Sequence, residues 1–598
     1  MGDLPRVQRG SPARGHPRQA PLTVLSAARR LAVTKSQTNS WVLARYLPAA
    51  CWALALGVAG FQVWVWRDWM SIDGVGYLDM ADAFRGGALK DIVNGVWSPL
   101  YPFTLALGLP VLERLSVPEA PAVHAINFAI FGASLATFEF LLRQVYAGCS
   151  KIHEMSGTEP LPSWIWFATA RILFVWTTAT MLPAYLITPD LLAAAVMFVT
   201  IGLLVRLARR DAPTGTAALF GAFLGVAYLA KAVLFPLGLL MLGMLWMALP
   251  RDKNRWRQLG IAGAGFALAA GPFVTALSLE KGRFTFSDAG RLNYAWHVNG
   301  VPSLHWQGGP EGHGTPLHPT RQIFDKPAIY EFDGPVGGTV PVWYDPSYWY
   351  EGVKLRFDLE DQIALIARGL KSYWRVFAVS LGGFLVLPAI SLMLGDRPRP
   401  TLRLIGSQWI LLTPVAAALG IYAALHVEGR YIGAFAILFG LAALNSVAVP
   451  RGRKPRLVLL VVAAAWLAVL SAKAINAGFR RPPAIIGRLT RLANDVAAGL
   501  ERQGLQEGDK IATFTASAGR WDRMLGLKVA AHAEWWLDGV EDQFWALDPT
   551  ERKGIYRKLG DLKLKGIVLE AIQRPVDEPG WRQIGSTNHY WRQLPEIE

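Results

Sequence analysis

Between Ser71 and Asp82 the chain reads Ser-Ile-Asp-Gly-Val-Gly-Tyr-Leu-Asp-Met-Ala-Asp, shortly after an apolar run that closes at Trp66. A carboxylate held there can take the proton from an attacking hydroxyl, so Asp73, beside Gly74 and Gly76, is a candidate general base. The alternative is an exposed acid in a solvated loop. Asp79 and Asp82 share a helix face, which reads as a solvated edge, with Asp79 also a candidate supporting or acceptor-binding group. Two cations stand at the ends of later apolar runs. Arg430 can grip two oxygens of a phosphate, or else snorkel at an interface or pair with Glu428. Lys231, in an otherwise apolar stretch, is costly unless it is useful or snorkels. Asp190, following Pro189, can cap the next helix or join the charged set.

A second group lies between Glu280 and Ser372, where His297, His305, His313 and His318 accompany Trp296, Trp306, Trp343, Tyr344, Tyr348 and Trp349. The histidine spacing matches no zinc template, and no Asp-x-Asp pair of the type that holds divalent metals stands near Asp73, so the expectation is a chain with no cofactor, a divalent metal being the alternative; a long aromatic loop suits a lid over a cleft. Glu139 and Arg143, four apart, read as an intrahelical pair. No Gly-rich loop joins a strand to a helix in any segment expected to face inward, so nothing there would cradle a nucleotide.

The order of these motifs resembles the GT-C superfamily, in the branch of the protein O-mannosyltransferases and the lipid A aminoarabinose transferases. The resemblance rests on Asp73 after the first span, Tyr77 shortly behind it, and Pro99-Leu100-Tyr101-Pro102 opening the next helix. It extends through Thr188-Pro189-Asp190, Lys231 and His426-Val427-Glu428-Gly429-Arg430-Tyr431. It covers most of the stretch from Trp52 to Ile475. It implies a glycosyltransferase that moves a sugar from a polyprenyl phosphate to a lipid, glycan or protein acceptor, with Asp73 as base and Lys231 and Arg430 on the donor phosphate. Tyr77, Asp79, Tyr101, Asp190, His426 and Glu428 are then supporting or acceptor-binding residues. In such a reaction a negative charge near the anomeric carbon favours an oxocarbenium-like transition state, and cations favour the leaving phosphate. Aromatic loop residues would stack on sugar rings.

The elements that must position these groups are membrane spans. Hydrophobic residues make up 52% of the 598 positions and charged residues 17%, with a mean hydropathy of +0.28, which is too apolar for a soluble multidomain enzyme. Runs of spanning length fall at 47–66, 120–146, 163–187, 191–207, 216–230, 232–249, 259–279, 373–394, 402–425, 432–449 and 457–475, which predicts an α-helical polytopic membrane protein of about eleven spans. Arg171 falls inside the third run, so it either snorkels or marks the true start of that span. Residues 99–112, short and with two prolines, read as a juxtamembrane helix. The net charge of +16 is not gathered into a nucleic-acid patch; Lys and Arg recur in alternate loops. By the positive-inside rule this predicts a multi-pass plasma (inner) membrane protein with a cytoplasmic N-terminus.

Three parts follow: a basic disordered cytoplasmic tail at 1–45, a transmembrane catalytic domain at 46–475 with outer loops 67–119 and 280–372, and an extracytoplasmic α/β domain at 476–598. In the last, strands are expected at 510–514, 566–569 and 589–594, and helices at 520–532 and 549–559. A transporter or a flippase of lipid-linked glycans is the main alternative, and it would want charges at mid-membrane and an internal repeat, neither of which is evident. An O-antigen ligase or polymerase would lack this motif order.

Overall fold

In the computed structural model, residues 46–595 are described apart from 211, 214, 310–311, 333, 396–397, 516–519, 536 and 574. The expected tail at 1–45 lies outside them. The chain divides into two units, Met1–Ala53 and Leu54–Glu598. Residues 46–53 of the first are helical. The second holds the other helices, one sheet and the charged cluster.

The protein is mostly helical and polytopic. Among the described residues five helices are long and apolar enough to cross a membrane: Tyr46–Trp66, Glu119–Ser156, Asp190–Ala208, Asn254–Glu280 and Arg453–Gly478. Leu359–Ser380 and Gly383–Leu394, bent by 64° at their junction, make a sixth if taken as one span. The other five expected runs also hold helices, at Ser163–Thr180, Thr216–Ala230, Leu234–Ala248, Trp409–Leu425 and Gly429–Asn445. At 15 to 18 residues these reach roughly 22–27 Å, short of the hydrocarbon core of about 30 Å. The third run stops at Thr180 rather than Ile187 because Pro183 withholds an amide and disfavours helix in the residue before it. The expected juxtamembrane helix is Leu100–Glu113.

Arg171 does not snorkel, and it lies within the continuous Ser163–Thr180 helix. Its Nε and Nη2 donate to the two carboxylate oxygens of Glu139 at 2.5 and 3.0 Å, across two packed helices. Glu139 therefore serves an interhelical pair, which the reading of an intrahelical Glu139–Arg143 pair did not foresee.

Among the described residues seven strands form one sheet, β1 (Arg321–Phe324), β2 (Ile329–Glu331), β3 (Lys510–Phe514), β4 (Lys528–Ala533), β5 (Gly566–Glu570), β6 (Trp581–Gln583) and β7 (His589–Gln593), in the order β1-β2-β4-β3-β5-β7-β6. Alternate residues of β3 and β5 enter different cores, as a pleated strand requires. Ala512, Phe514, Ile567 and Leu569 pack with Ile555 and Leu559 of the Pro549–Asp561 helix, whereas Ile511 and Val568 pack with Val496 and Leu500 of the Ala484–Arg502 helix.

Two expectations are corrected here. The helix expected at 520–532 is a single turn, Trp521–Met524, followed by β4. The run Leu527 to Ala533 is a good helix former by composition, but Gly526 takes φ +62° and the strand is claimed by partners on both sides, β2 and β3. The sheet is also not confined to 476–598, since β1 and β2 come from the 280–372 loop and β2 pairs antiparallel with β4.

Candidate active site

Ser71 caps the Ile72–Gly86 helix, its Oγ accepting from the Gly74 amide at 3.2 Å, so Asp73 stands in the first helical turn, where the backbone dipole favours an anion. The sequence places Asp73 beside Gly74 and Gly76 within the outer loop expected at 67–119. Gly74 is a packing position instead: a Cβ there would meet the Ile187 Cβ at 3.0 Å. The bend at Pro183 thus delivers Ile187 against the start of this helix.

Asp73, Tyr77, Asp190, Lys231, His426 and Arg430 line one cavity of about 350 Å³, brought together from four separate stretches of the chain. Arg430, in the first turn of Gly429–Asn445, donates from Nη1 to Asp73 Oδ2 at 3.2 Å and from Nε to Glu428 Oε2 at 2.5 Å. Trp343 donates its indole N–H to the other Asp73 oxygen at 3.3 Å. Lys231 sits in the break between the Thr216–Ala230 and Leu234–Ala248 helices and bonds Asp190, with its ammonium 3.9 Å from the centre of the Tyr431 ring. Asp190 is the first residue of its helix rather than the capping one, and Pro189 precedes it with no side-chain cap. Its carboxylate goes to Lys231.

The remaining expected residues divide. Tyr77 is buried and meets Trp97 and Tyr101 edge-on at 5.1 and 5.3 Å; burial, with Asp73 and Asp190 nearby, pushes its phenol well up. Tyr101 stands behind Tyr77, away from the cavity, and bonds Asn127 Oδ1 at 2.8 Å. Glu428 buttresses rather than lines: it holds Arg430 and lies 3.5 Å from His426 Nε2. The His426 hydrogen bond, then Arg430, brings its carboxyl down to about 2. Asp79 is neither a solvated edge nor a cavity residue. It is buried and bonded to Thr339 and Arg523, because the sheet domain covers that side of the helix.

The loop histidines are dispersed. His297 stacks on His426 at 4.2 Å, His318 stacks on Tyr348, and His305 bonds His532 and Thr320. Among the described residues no group of three or more His, Cys, Asp or Glu is arranged around a metal position. Sequence reasoning did not single out Trp343, Arg523 or the Lys231–Tyr431 contact. Trp343 had a signal, as one of several loop aromatics; Arg523 had none.

No family model matches the sequence, and no curated protein does. The chain is similar in fold to ArnT from Cupriavidus metallidurans, in the apo state (TM-score 0.47, 13% identity, 91% of this chain and 98% of that one) and bound to undecaprenyl phosphate (0.48, 13%, 90% and 97%). It is also similar to the Archaeoglobus fulgidus oligosaccharyltransferase in the apo form (0.41, 11%, 88% and 70%). These are weak likenesses of overall fold, and the chemistry of the site is carried by its own residues.

Proposed function

We propose that the protein is a glycosyltransferase that moves a sugar from a polyprenyl phosphate to a hydroxyl of a lipid, glycan or protein. The observation that carries this reading is the cavity where two carboxylates, Asp73 and Asp190, stand with two cations, Lys231 and Arg430, at the ends of apolar helices. A lipid tail can lie along those helices while its phosphate reaches the cations. The acceptor oxygen forms a bond to the anomeric carbon, the bond from that carbon to the phosphate oxygen breaks, and the hydroxyl proton passes to Asp73. The electron pair leaves on the lipid phosphate, where Arg430 and Lys231 disperse its charge. Asp190 and Glu428 hold the cations in place, and Trp343 fixes the carboxylate.

On this reading the reaction lies on the outer face of the plasma membrane, as the basic alternate loops imply, and needs no metal. The test is a panel of polyprenyl-phosphate monosaccharides given to the full chain in vesicles, with an envelope extract as acceptor and nucleotide sugars as the contrast. Release of free polyprenyl phosphate from one of the lipid donors is the expected result. Turnover of nucleotide sugars alone contradicts the reading.

A further inference from the structure

The sheet domain meets the Ile72–Gly86 helix in a buried cluster that holds Met80 and Val529, and through the side chain of Arg523. Arg523 donates from Nη1 to Asp79 Oδ1 at 2.8 Å, and its Nη2 lies 2.6 Å from both Asp82 Oδ2 and Glu119 Oε1. Its Nε completes the set at 3.3 Å from Glu119 Oε2. Asp79 and Asp82 belong to the helix that begins with Asp73, and Glu119 is the first residue of the long Glu119–Ser156 helix. One guanidinium from residue 523 therefore ties the helix carrying the candidate base to a membrane span.

A second connection passes through Asp79. Its two oxygens accept the Thr339 amide and hydroxyl, each at 2.8 Å. Thr339 lies just before the short Pro341–Tyr344 helix that holds Trp343, which donates to Asp73, and the Thr339 carbonyl accepts the Val529 amide of β4 at 2.9 Å. Asp79 sits a little under two helical turns beyond Asp73. The two ends of that stretch are thus fixed by the same loop, and the loop by the same domain.

Energetics favour a device that holds position over an incidental surface pair. The Arg523 side chain is 12% exposed and that of Asp79 only 5%, so solvent screening is slight. Burial pushes the Asp79 carboxyl up from its ordinary value and Arg523 pulls it back. Without the guanidinium the buried Asp79 loses its ion pair and faces Asp82 and Glu119, 44% and 35% exposed, with no cation between them, so the tie that holds this part of the helix to the sheet domain and to the Glu119–Ser156 helix is lost. A displacement of about 1 Å at a reacting group costs up to about a hundredfold in rate.

We infer that Arg523 is a positioning residue for Asp73, holding the base-bearing helix and, through Thr339, the Trp343 loop; the inference rests on the proposed transferase reading. A brace for the fold alone would lower stability and leave turnover per folded molecule unchanged. The experiment uses the full chain in vesicles with the polyprenyl-phosphate monosaccharide that the wild type turns over. Arg523→Met is expected to lower kcat about tenfold to a hundredfold with donor KM little changed, and Arg523→Lys to recover part of it, because an ammonium serves fewer of the three carboxylates. The kcat losses of Arg523→Met and Thr339→Val should fall short of multiplying in the double variant, since both cut one link. Wild-type kcat in folded Arg523→Met, or independent losses in the double variant, overturns the inference. Should Arg523→Met not fold, Arg523→Lys decides: a several-fold kcat loss at constant KM supports it and wild-type kcat refutes it. Inactivity of the wild type on every lipid donor would instead remove the transferase reading. Amide exchange of residues 72–86 and 336–344 would still report whether Arg523 holds them.

Discussion

Arg430 and Asp73 lie 357 positions apart in the chain, yet the guanidinium Nη1 is 3.2 Å from the Asp73 Oδ2. The site is closed on itself: each cation assigned to the phosphate is held by a carboxylate, Arg430 by Asp73 and Lys231 by Asp190. On the proposed reading a lipid phosphate takes over both cations, and Asp73 is released to meet the acceptor hydroxyl. Donor binding then precedes base action.

Arg430→Met should weaken the binding of undecaprenyl phosphate by about tenfold to a hundredfold, the loss of a charge-assisted hydrogen bond worth roughly 1.5–3 kcal/mol. Arg430→Lys should recover only part, since an ammonium cannot present two parallel donors. Titration of vesicle-reconstituted protein with the lipid phosphate measures both. Unchanged affinity in the two variants counts against a phosphate role for Arg430.

Glu139→Gln should destabilise the protein without touching the site. Both side chains of the Glu139–Arg171 pair are about a tenth exposed, and removing one charge of a buried pair costs about 3–5 kcal/mol. Thermal unfolding in detergent should show a lowered midpoint, while activity per folded molecule stays at the wild-type level. A midpoint equal to wild type means the pair is not buried as described.

Acid should loosen the sheet domain. His305 Nε2 and His532 Nδ1 share a hydrogen bond of 2.7 Å; burial brings His532 down to about 3 and, with His532 beside it, His305 well below its ordinary value. Both are therefore neutral in the fold, while the unfolded chain takes up protons near pH 6.5. Their contribution is complete above about pH 6.5 and is lost as pH falls towards 3, by up to about 1.4 kcal/mol per pH unit for each ring. The unfolding midpoint of the wild type should fall across that window, and His532→Asn should flatten the fall. Parallel profiles for the two proteins rule this origin out.

Chelation should leave turnover intact, because the proposed step uses a carboxylate and two side-chain cations and routes no charge through a metal. Activity measured with and without a strong chelator decides this, and a loss restored by one divalent cation reverses the assignment.

Much of the cluster was legible because each member punctuates an apolar run. Asp190, Lys231 and Arg430 stand where a hydrophobic stretch begins or ends and Asp73 follows one shortly after, and a charge there is conspicuous against about 20 apolar neighbours. What joins them was not legible: nothing local tells that Asp190 meets Lys231, or that Arg523 reaches Asp79. The misread elements have the same origin. Leu527 to Ala533 has helical composition and becomes β4 because β2, from a loop some two hundred positions earlier, pairs with it. Asp79 looked solvated because its cover, Thr339 and Arg523, comes from distant sequence.

The most direct test is Asp73→Asn in the full chain, which keeps the side-chain shape and removes the proton acceptor. With the lipid-linked sugar donor, the release of polyprenyl phosphate should fall by about a hundredfold to ten-thousandfold while binding of undecaprenyl phosphate persists. Wild-type turnover by a folded, membrane-inserted Asp73→Asn protein would contradict the assignment of Asp73 as the base.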